Sequence, residues 1–544
     1  MAFDRRSVLG LAGTSAALAL LPGCISSAAK SGRKPNILFI MSDDHAAQGI
    51  GAYGGRLAGL NPTPVIDKLA SEGTLFRNVF VHNSICTPSR ATIMTGQYSQ
   101  ANGVLDLDGA IPASRQALAH AMKAAGYNTG MIGKWHLKDE PAAFDYYNVL
   151  PGQGEYFDPT FRVRGPKPWK RNTVKHTGHS TDIITDLSID WLSNREDDRP
   201  FFLMHHYKAP HDHFEYAPRY EDYLADVEIP EPDDLYERKA TWGSVATRGE
   251  NDSLVHEIGT SVSKRNPLRN QGQHFGLDPN LPDREYTYLS YQLYLKAYLR
   301  CIKGIDDNLA RLFAKLEALG EWENTIVMYT GDQGFMTGEH DLIDKRWMYD
   351  ESMHMPFIMR NPLIPDQVKE SDLLINNTDF APTMIDLGGG QVPEAMQGRS
   401  FVPALAGVTP EGWRTATYYR YWMHRAHHDV PAHFGVRTKT HKLIFFYGQH
   451  YLDNPPASFG AYDNPVGVRR TPELQPATIS TPVAWELYDL VKDPEEQNNV
   501  YGNPAYAEIT RELKEELKRQ RELYGETDKD YPKLQAIIDR HWDD

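Results

Sequence analysis

The run Asn36-Ile37-Leu38-Phe39-Ile40-Met41 leads directly into Ser42-Asp43-Asp44. An unbroken apolar run reads as a strand buried on both faces, because a half-exposed strand would alternate. The polar cluster then falls just past the strand's carboxyl end. Three more segments repeat the theme. Thr129 to Ile132 precedes Gly133-Lys134-Trp135-His136, Pro200 to His206 precedes Lys208-Ala209-Pro210-His211, and Asn324 to Thr330 precedes Gly331-Asp332-Gln333. Helical patterns lie between them, at Ile66 to Gly73 and Gln116 to Gly126. Strand alternating with helix implies an α/β fold with a large mixed, mostly parallel sheet sandwiched by helices. Ligands bind such sheets beyond the carboxyl ends of the strands, where all four polar clusters are expected.

Working outward, the clearest helix precedes the fourth strand. Leu295, Leu299, Ile302, Ile305, Leu309, Leu312, Leu316 and Leu319 follow steps of three and four, and Gly320 is a natural stop. Cys301 beside this stripe reads as a small hydrophobe without catalytic role. Residues 212–285 are irregular and rich in Pro, Asp and Glu. They are either a substrate-side insertion or a surface excursion. After about Trp413 the texture changes. HFGVRT (433–438), HKLIFFYG (441–448) and AWELYDL (484–490) are strand-like, and Ala505 to Tyr524 is a highly charged helix. The expected organisation is a catalytic domain over 36–412 and a C-terminal subdomain over 413–544, with a small antiparallel sheet and a closing helix.

The N-terminus reads as targeting sequence. Arg5 and Arg6 form a twin-arginine region, Val8 to Leu21 is mildly apolar, and Leu21-Pro22-Gly23-Cys24 resembles a lipoprotein cleavage box. Residues 1–24 are expected to be the signal and 25–35 a tether. Cys24 is then a lipid-anchored first residue of an exported periplasmic or surface protein, or incidental to a plain cleaved signal. The 544-residue chain carries a formal net charge of -15, which disfavours nucleic acid as a partner. An anionic substrate therefore needs a locally basic pocket. The three cysteines, Cys24, Cys86 and Cys301, are too few for a disulfide framework or a cysteine-based zinc site.

Chemistry concentrates around Cys86-Thr87-Pro88-Ser89-Arg90. Pro88 and Ser89 suit a first helical turn, so Cys86 is expected near a helix N-terminus, where the dipole favours negative charge. Asp43, Asp44, Asp332 and Gln333 end two strands. Three carboxylates and an amide oxygen suit a hard cation, Ca²⁺ or Mg²⁺. Arg90, Lys134, Lys208 and Lys345 supply the basic pocket, and His136 and His211 supply proton transfer near neutral pH.

The ordered set SDDH (42–45), CTPSRATIMTG (86–96), GKWH (133–136), KAPH (208–211), TGDQGFMTGEH (330–340), DKRWMYDES (344–352) and WELYDLVKDPEEQNN (485–499) resembles the formylglycine-dependent sulfatases of the alkaline-phosphatase superfamily. The resemblance spans about Asn36 to Tyr501. It implies that a maturation enzyme converts Cys86 to formylglycine. One hydroxyl of its hydrate would attack sulfur to give a sulfated enzyme intermediate, and the other would expel sulfate. It further implies that Asp43, Asp44, Asp332 and Gln333 hold a metal with Cys86. Gln333 takes a place that asparagine often holds in the family. Arg90 and Lys134 would steady the formylglycine, and His136 would assist turnover. His211, Lys208 and Lys345 would lie on the sulfate and leaving-group side. His424, His427, His428 and His433 resemble the substrate-facing segment of carbohydrate sulfatases, or else form a packing hairpin. The expected partner is a sulfated carbohydrate. A phosphate or phosphonate ester hydrolase on the same fold and a non-catalytic glycan-binding lipoprotein are the alternatives. The Cys-x-Pro-Ser-Arg pattern favours sulfate.

Overall fold

The computed structural model describes residues 33–195, 198–248, 271–426, 428, 430–453, 455 and 480–544. Residues 1–32 with Cys24, part of the insertion at 249–270, and His427 lie outside the described residues. Residues 34–544 form one compact unit.

The four apolar runs form the strands β1 (Asn36–Asp43), β2 (Asn128–Lys134), β3 (Phe201–Pro210) and β4 (Thr325–Gly331). They stand side by side in the order β4-β1-β3-β2 at the centre of a ten-stranded sheet, and every pairing among them is parallel. Tyr146–Leu150 extends the sheet in parallel beyond β2. Thr160–Val163 and Thr173–Lys175 complete that side with antiparallel pairing. Beyond β4 lie Phe357–Arg360, antiparallel to it, then Thr74–Phe76 and Glu370–Ser371. The sheet is therefore mixed and mostly parallel. All eight residues of β1 are buried. Ile37, Phe39 and Met41 enter one core and Leu38 and Ile40 the other, because successive side chains point to opposite faces.

Helices cover both faces. Pro64–Glu72 (α1) carries Ile66 and Leu69 into the second core, and the helix of Cys86 (α2, Cys86–Thr95) lies in the first with Ala117–Ala124 (α3). The long helix α4 spans Asp283–Ala318 and buries the predicted stripe from Leu295 to Leu316. It starts twelve residues before Leu295 and claims the last three residues of the segment read as irregular. Leu319 departs from the stripe: it is the C-cap and is exposed. Gly320, at φ +70°, turns the chain, and Glu321 N–H reaches the Leu316 carbonyl at 2.9 Å. This closes the helix with a left-handed glycine cap.

The C-terminal strands β5 (Ala416–Tyr421), β6 (His433–Thr438), β7 (His441–Phe446) and β8 (Ala484–Asp489) form an antiparallel sheet in chain order. Tyr419, Tyr421, Ile444 and Phe446 join the core of the large sheet. Tyr418, Phe434, Leu443 and Phe445 pack instead with Leu513 and Leu517 of the charged helix α5 (Ala507–Tyr524). Burial on both faces explains why these strands are aromatic throughout. A further helix, α6 (Pro532–His541), adds Leu534 and Ile538 to that third core.

Asp306 of α4 ties two helices together. Its carboxylate accepts from Val65 N at 3.0 Å and Ile66 N at 3.0 Å in the first turn of α1, which satisfies donors that a helix start leaves open. Burial raises its pKa from 3.8 to about 6. The folded protein thus holds a proton there that the unfolded chain releases at lower pH. The stability owed to this group is complete below about 4 and is lost as pH rises through about 6. Asp306→Asn keeps an acceptor and removes the titration. Thermal unfolding should show the variant gaining on wild type between pH 4 and pH 7, whereas a constant difference across that range would contradict this account.

Candidate active site

β1 and β4 are parallel neighbours in register, with Ser42 opposite Gly331. Their ends therefore deliver Asp43 and Asp332 to one place. Asp44 turns aside at φ 64° and its N–H donates to Asp332 Oδ1 at 3.1 Å. One carboxylate oxygen from each of Asp43, Asp44 and Asp332 lies within 4.8 Å of the others. Asp43, Cys86 and His211 satisfy the same limit. The two strand ends and the start of α2 thus meet at one point, and Asp43, Asp44, Asp332 and Gln333 are all buried.

Cys86 is the first residue of α2. Hydrogen bonds tie the first turn to both sides of the site. Ser89 Oγ donates to the Asp332 carbonyl and accepts from Asn377 Nδ2 at 3.1 Å, while Thr87 Oγ1 donates to the His136 carbonyl at 3.2 Å. Burial, reinforced by Asp43, pushes the Cys86 thiol up to about 12. That environment disfavours the thiolate, which is the nucleophilic form of an unmodified cysteine.

Buried carboxylates at this density need cations. Arg90 donates through Nε and Nη2 to Asp332 Oδ2, at 3.0 and 2.9 Å, and through Nη1 to the Lys134 carbonyl at 2.6 Å. Lys134 Nζ donates to Asp43 Oδ2 and to Gln153 Oε1. Lys345 Nζ holds both oxygens of Asp44, at 2.5 and 2.6 Å. Burial opposes ionisation of Asp43, yet Lys134, His211 and Arg90 hold it well below the usual carboxylate range. Burial and the neighbouring Asp43 push Asp332 up instead, to about 8. Two oxygens in this set, Asp43 Oδ1 and Gln333 Oε1, are buried without a hydrogen-bond partner. Hard oxygens left without a hydrogen bond among three carboxylates fit a Ca²⁺ or Mg²⁺ ion, although Arg90 Nη2 lies 3.5 Å from Asp43 Oδ1.

Lys208 is buried, its Nζ 4.6 Å from the centre of the Tyr156 ring, and burial next to Lys134 lowers its pKa. His211 places Nε2 3.7 Å from Asp44 Oδ2 and Nδ1 2.6 Å from Asp212 Oδ1. His136 is buried at φ 54°, its Nδ1 lacks a hydrogen-bond partner, and burial beside Lys134 drives its pKa well below the usual value.

The histidine segment divides. His428 Nε2 lies 3.6 Å from Asp344 Oδ2, one residue before Lys345. His424 accepts from Ala432 N at 3.1 Å, inside the fold. His433 stacks between Tyr419 and Trp347, and burial lowers its pKa to about 4. Packing accounts for His433, and His428 touches the neighbour of a site residue.

Sequence reasoning missed several supporting groups. Gln153 accepts from Lys134, His206 Nδ1 lies 3.2 Å from the Lys134 carbonyl, and Tyr298 OH donates to the Asp44 carbonyl at 2.8 Å. Tyr298 sits within the apolar stripe of α4 and reads there as packing. Gln153 carries no signal beyond following a strand, and His206 reads as one more residue of β3.

The sequence profile of the sulfatase family matches residues 35–390. The profile described as N-sulphoglucosamine sulphohydrolase, C-terminal, matches 338–453 and 478–523. An N-acetylglucosamine-6-O-sulfatase of Bacteroides thetaiotaomicron is 35% identical, covering 94% of this chain and 90% of its own length. The human N-acetylglucosamine-6-sulfatase is 28% identical over 74% of this chain and 70% of its own. A solved structure in complex with its substrate, D-glucosamine-2-N,6-O-disulfate, superposes with a TM-score of 0.76 at 34% identity, covering 91% of this chain and 99% of that one. The first profile takes in the central strands, the helix of Cys86 and both acidic pairs, and by that match the chain belongs to the sulfatase family, as a sulfuric ester hydrolase.

Proposed function

We propose that the protein removes the 6-O-sulfate from N-acetylglucosamine units of a sulfated carbohydrate. The names of the similar Bacteroides enzyme and of the substrate-bound structure support this choice of sugar and position. The observation that carries the mechanism is the convergence of Asp43, Asp44 and Asp332 on the place where Cys86 and His211 also meet. Asp43, Asp44, Asp332 and Gln333 would hold the Ca²⁺ or Mg²⁺ ion, which when bound supplies Lewis-acid polarisation of sulfate oxygens. Cys86, after conversion to formylglycine by a maturation enzyme, supplies paired hydroxyls, one to attack sulfur and one to release it.

The remaining chemistry belongs to the fixed side chains. Arg90 and Lys134 hold Cys86 and the strand-end carboxylates in register. Lys208 and Lys345 face the sulfate oxygens and offset the charge that develops there. His211 gives a proton to the departing sugar oxygen, and His136 assists sulfate release. His428 and Asp344 border the sugar. The twin-arginine and Leu21-Pro22-Gly23-Cys24 segments support export to the periplasm or cell surface with a lipid anchor on Cys24, where sulfated polysaccharides are met.

The proposed function is tested by a desulfation panel. N-acetylglucosamine 6-sulfate should be turned over in preference to isomers sulfated elsewhere and to the 6-phosphate. Cys86→Ala should abolish turnover without loss of fold, and mass spectrometry of the peptide with Cys86 should show the aldehyde or its hydrate. Preference for the phosphate, or full activity with only the thiol, would sink the reading. Chelation should abolish activity and release one divalent ion per chain by elemental analysis, and Ca²⁺ or Mg²⁺ should restore turnover. In Asp332→Ala, metal content should fall in the same measurement. His211→Ala should lower kcat/KM on the sulfated sugar by about 10²–10⁴-fold, the usual range of general acid catalysis. The loss on nitrophenyl sulfate should be much smaller, because that leaving group needs no proton. Equal losses would assign His211 to positioning sulfate instead.

A further inference from the structure

We propose that the turn Pro151–Tyr156 positions the basic groups of the site, and that Tyr156 acts through His211 and Lys208 without touching substrate. This rests on the roles given to those two residues above. The strand Tyr146–Leu150 runs parallel to β2 and sets Leu150 opposite Lys134. The chain then reverses through Gly152 at φ 56° and Gly154 at φ 73°. At Gly154 a Cβ would fall 2.7 Å from Leu150 Cδ1, so a side chain there would open the turn. The reversal sends Gln153 to Lys134, whose Nζ it accepts, and Tyr156 inward to 1% exposure.

Tyr156 then serves two partners with two parts of one side chain. Its ring faces the ammonium of Lys208 at 4.6 Å. Lys208 is buried and makes no ion pair among the described residues, so this ring face adds directly to the stabilisation that Asp43, Asp212 and Glu215 give its charge from farther off. Its hydroxyl donates to the His211 carbonyl at 2.5 Å. The backbone of His211 is thereby fixed while Asp212 orients the imidazole through Nδ1. Tyr156 is itself clamped. Ser180 N–H donates to its carbonyl at 2.7 Å, the His179 ring lies 5.5 Å away, and Cys301 of α4 belongs to the same buried core. Neither Gln153 nor Tyr156 falls in any of the motifs that mark the site.

The test separates hydroxyl from ring. Tyr156→Phe keeps the ring under Lys208 and releases His211. It should lower kcat on N-acetylglucosamine 6-sulfate by up to about 10²-fold with KM unchanged, the loss that a misplacement of about 1 Å can cause. In a His211→Ala background the same change should cost nothing further, because a residue acting through His211 has nothing left to position. Tyr156→Leu also removes the ring, so it should raise KM, and that rise should vanish in a Lys208→Ala background. A wild-type kcat in Tyr156→Phe, or losses that add in the His211→Ala background, would overturn the proposal. Thermal melts monitor the fold, and the Tyr156→Phe arm decides the outcome if Tyr156→Leu does not fold. Failure of the acid assignment shows separately, as equal losses of His211→Ala on sugar and aryl sulfates.

Discussion

Three carboxylates share one buried place at the ends of two adjacent strands, and an interior tolerates that much like charge only where cations are fixed beside it. Arg90 answers Asp332, Lys134 answers Asp43, and Lys345 answers Asp44. Each cation comes from a different part of the chain: the helix α2, the strand β2 and the loop after β4. The fold therefore cannot assemble the acidic centre without also bringing those elements to it. On the proposed function the same cations would also face the sulfate, so what offsets the carboxylates would serve the substrate as well.

Backbone conformation follows from this requirement. Asp44 and His136 leave their strands with positive φ, and His340, Asp341, Asp344 and Arg346 crowd the left-handed region within seven residues around Lys345. Residues other than glycine rarely adopt it. Such conformations persist where the surroundings over-determine them, and they gather at functional sites. Here the surroundings are visible: Arg346 N–H donates to Ser84 O at 3.0 Å, and Tyr419 OH donates to the Arg346 carbonyl at 2.6 Å. A tyrosine of the C-terminal sheet thus steadies the loop that presents Lys345.

The central sheet was legible because burial on both faces leaves unbroken apolar runs, and the acidic and basic clusters were legible because parallel strands expose their ends together. The start of α4 was not. Asp283 to Tyr294 is rich in Tyr and polar residues, and its helicity comes from packing against the insertion, as with Gln292 bonding both N–H and carbonyl of Ile229. The strand Ala416–Tyr421 was hidden for a similar reason: its tyrosines and Arg420 are buried by partners distant in sequence, such as Asp528. Gln153 and Tyr156 escaped notice because a residue that orients another leaves no spacing pattern of its own. The histidines after Tyr421 show the converse. Composition marked four alike, and packing gives His433 and His428 different surroundings.

Every residue of α2 is buried, and Cys86 is 1% exposed. On the reading of Cys86 as the modified residue, the folded protein offers no surface on which a second enzyme could grip the Cys-x-Pro-Ser-Arg segment. Oxidation and folding are then competitors in time. On that reading the segment would be met while the chain is still open, and a molecule that folds first would stay inert until it opens again. The fraction of active protein would accordingly be set by a race during synthesis, and slowing the folding of the large sheet would raise it.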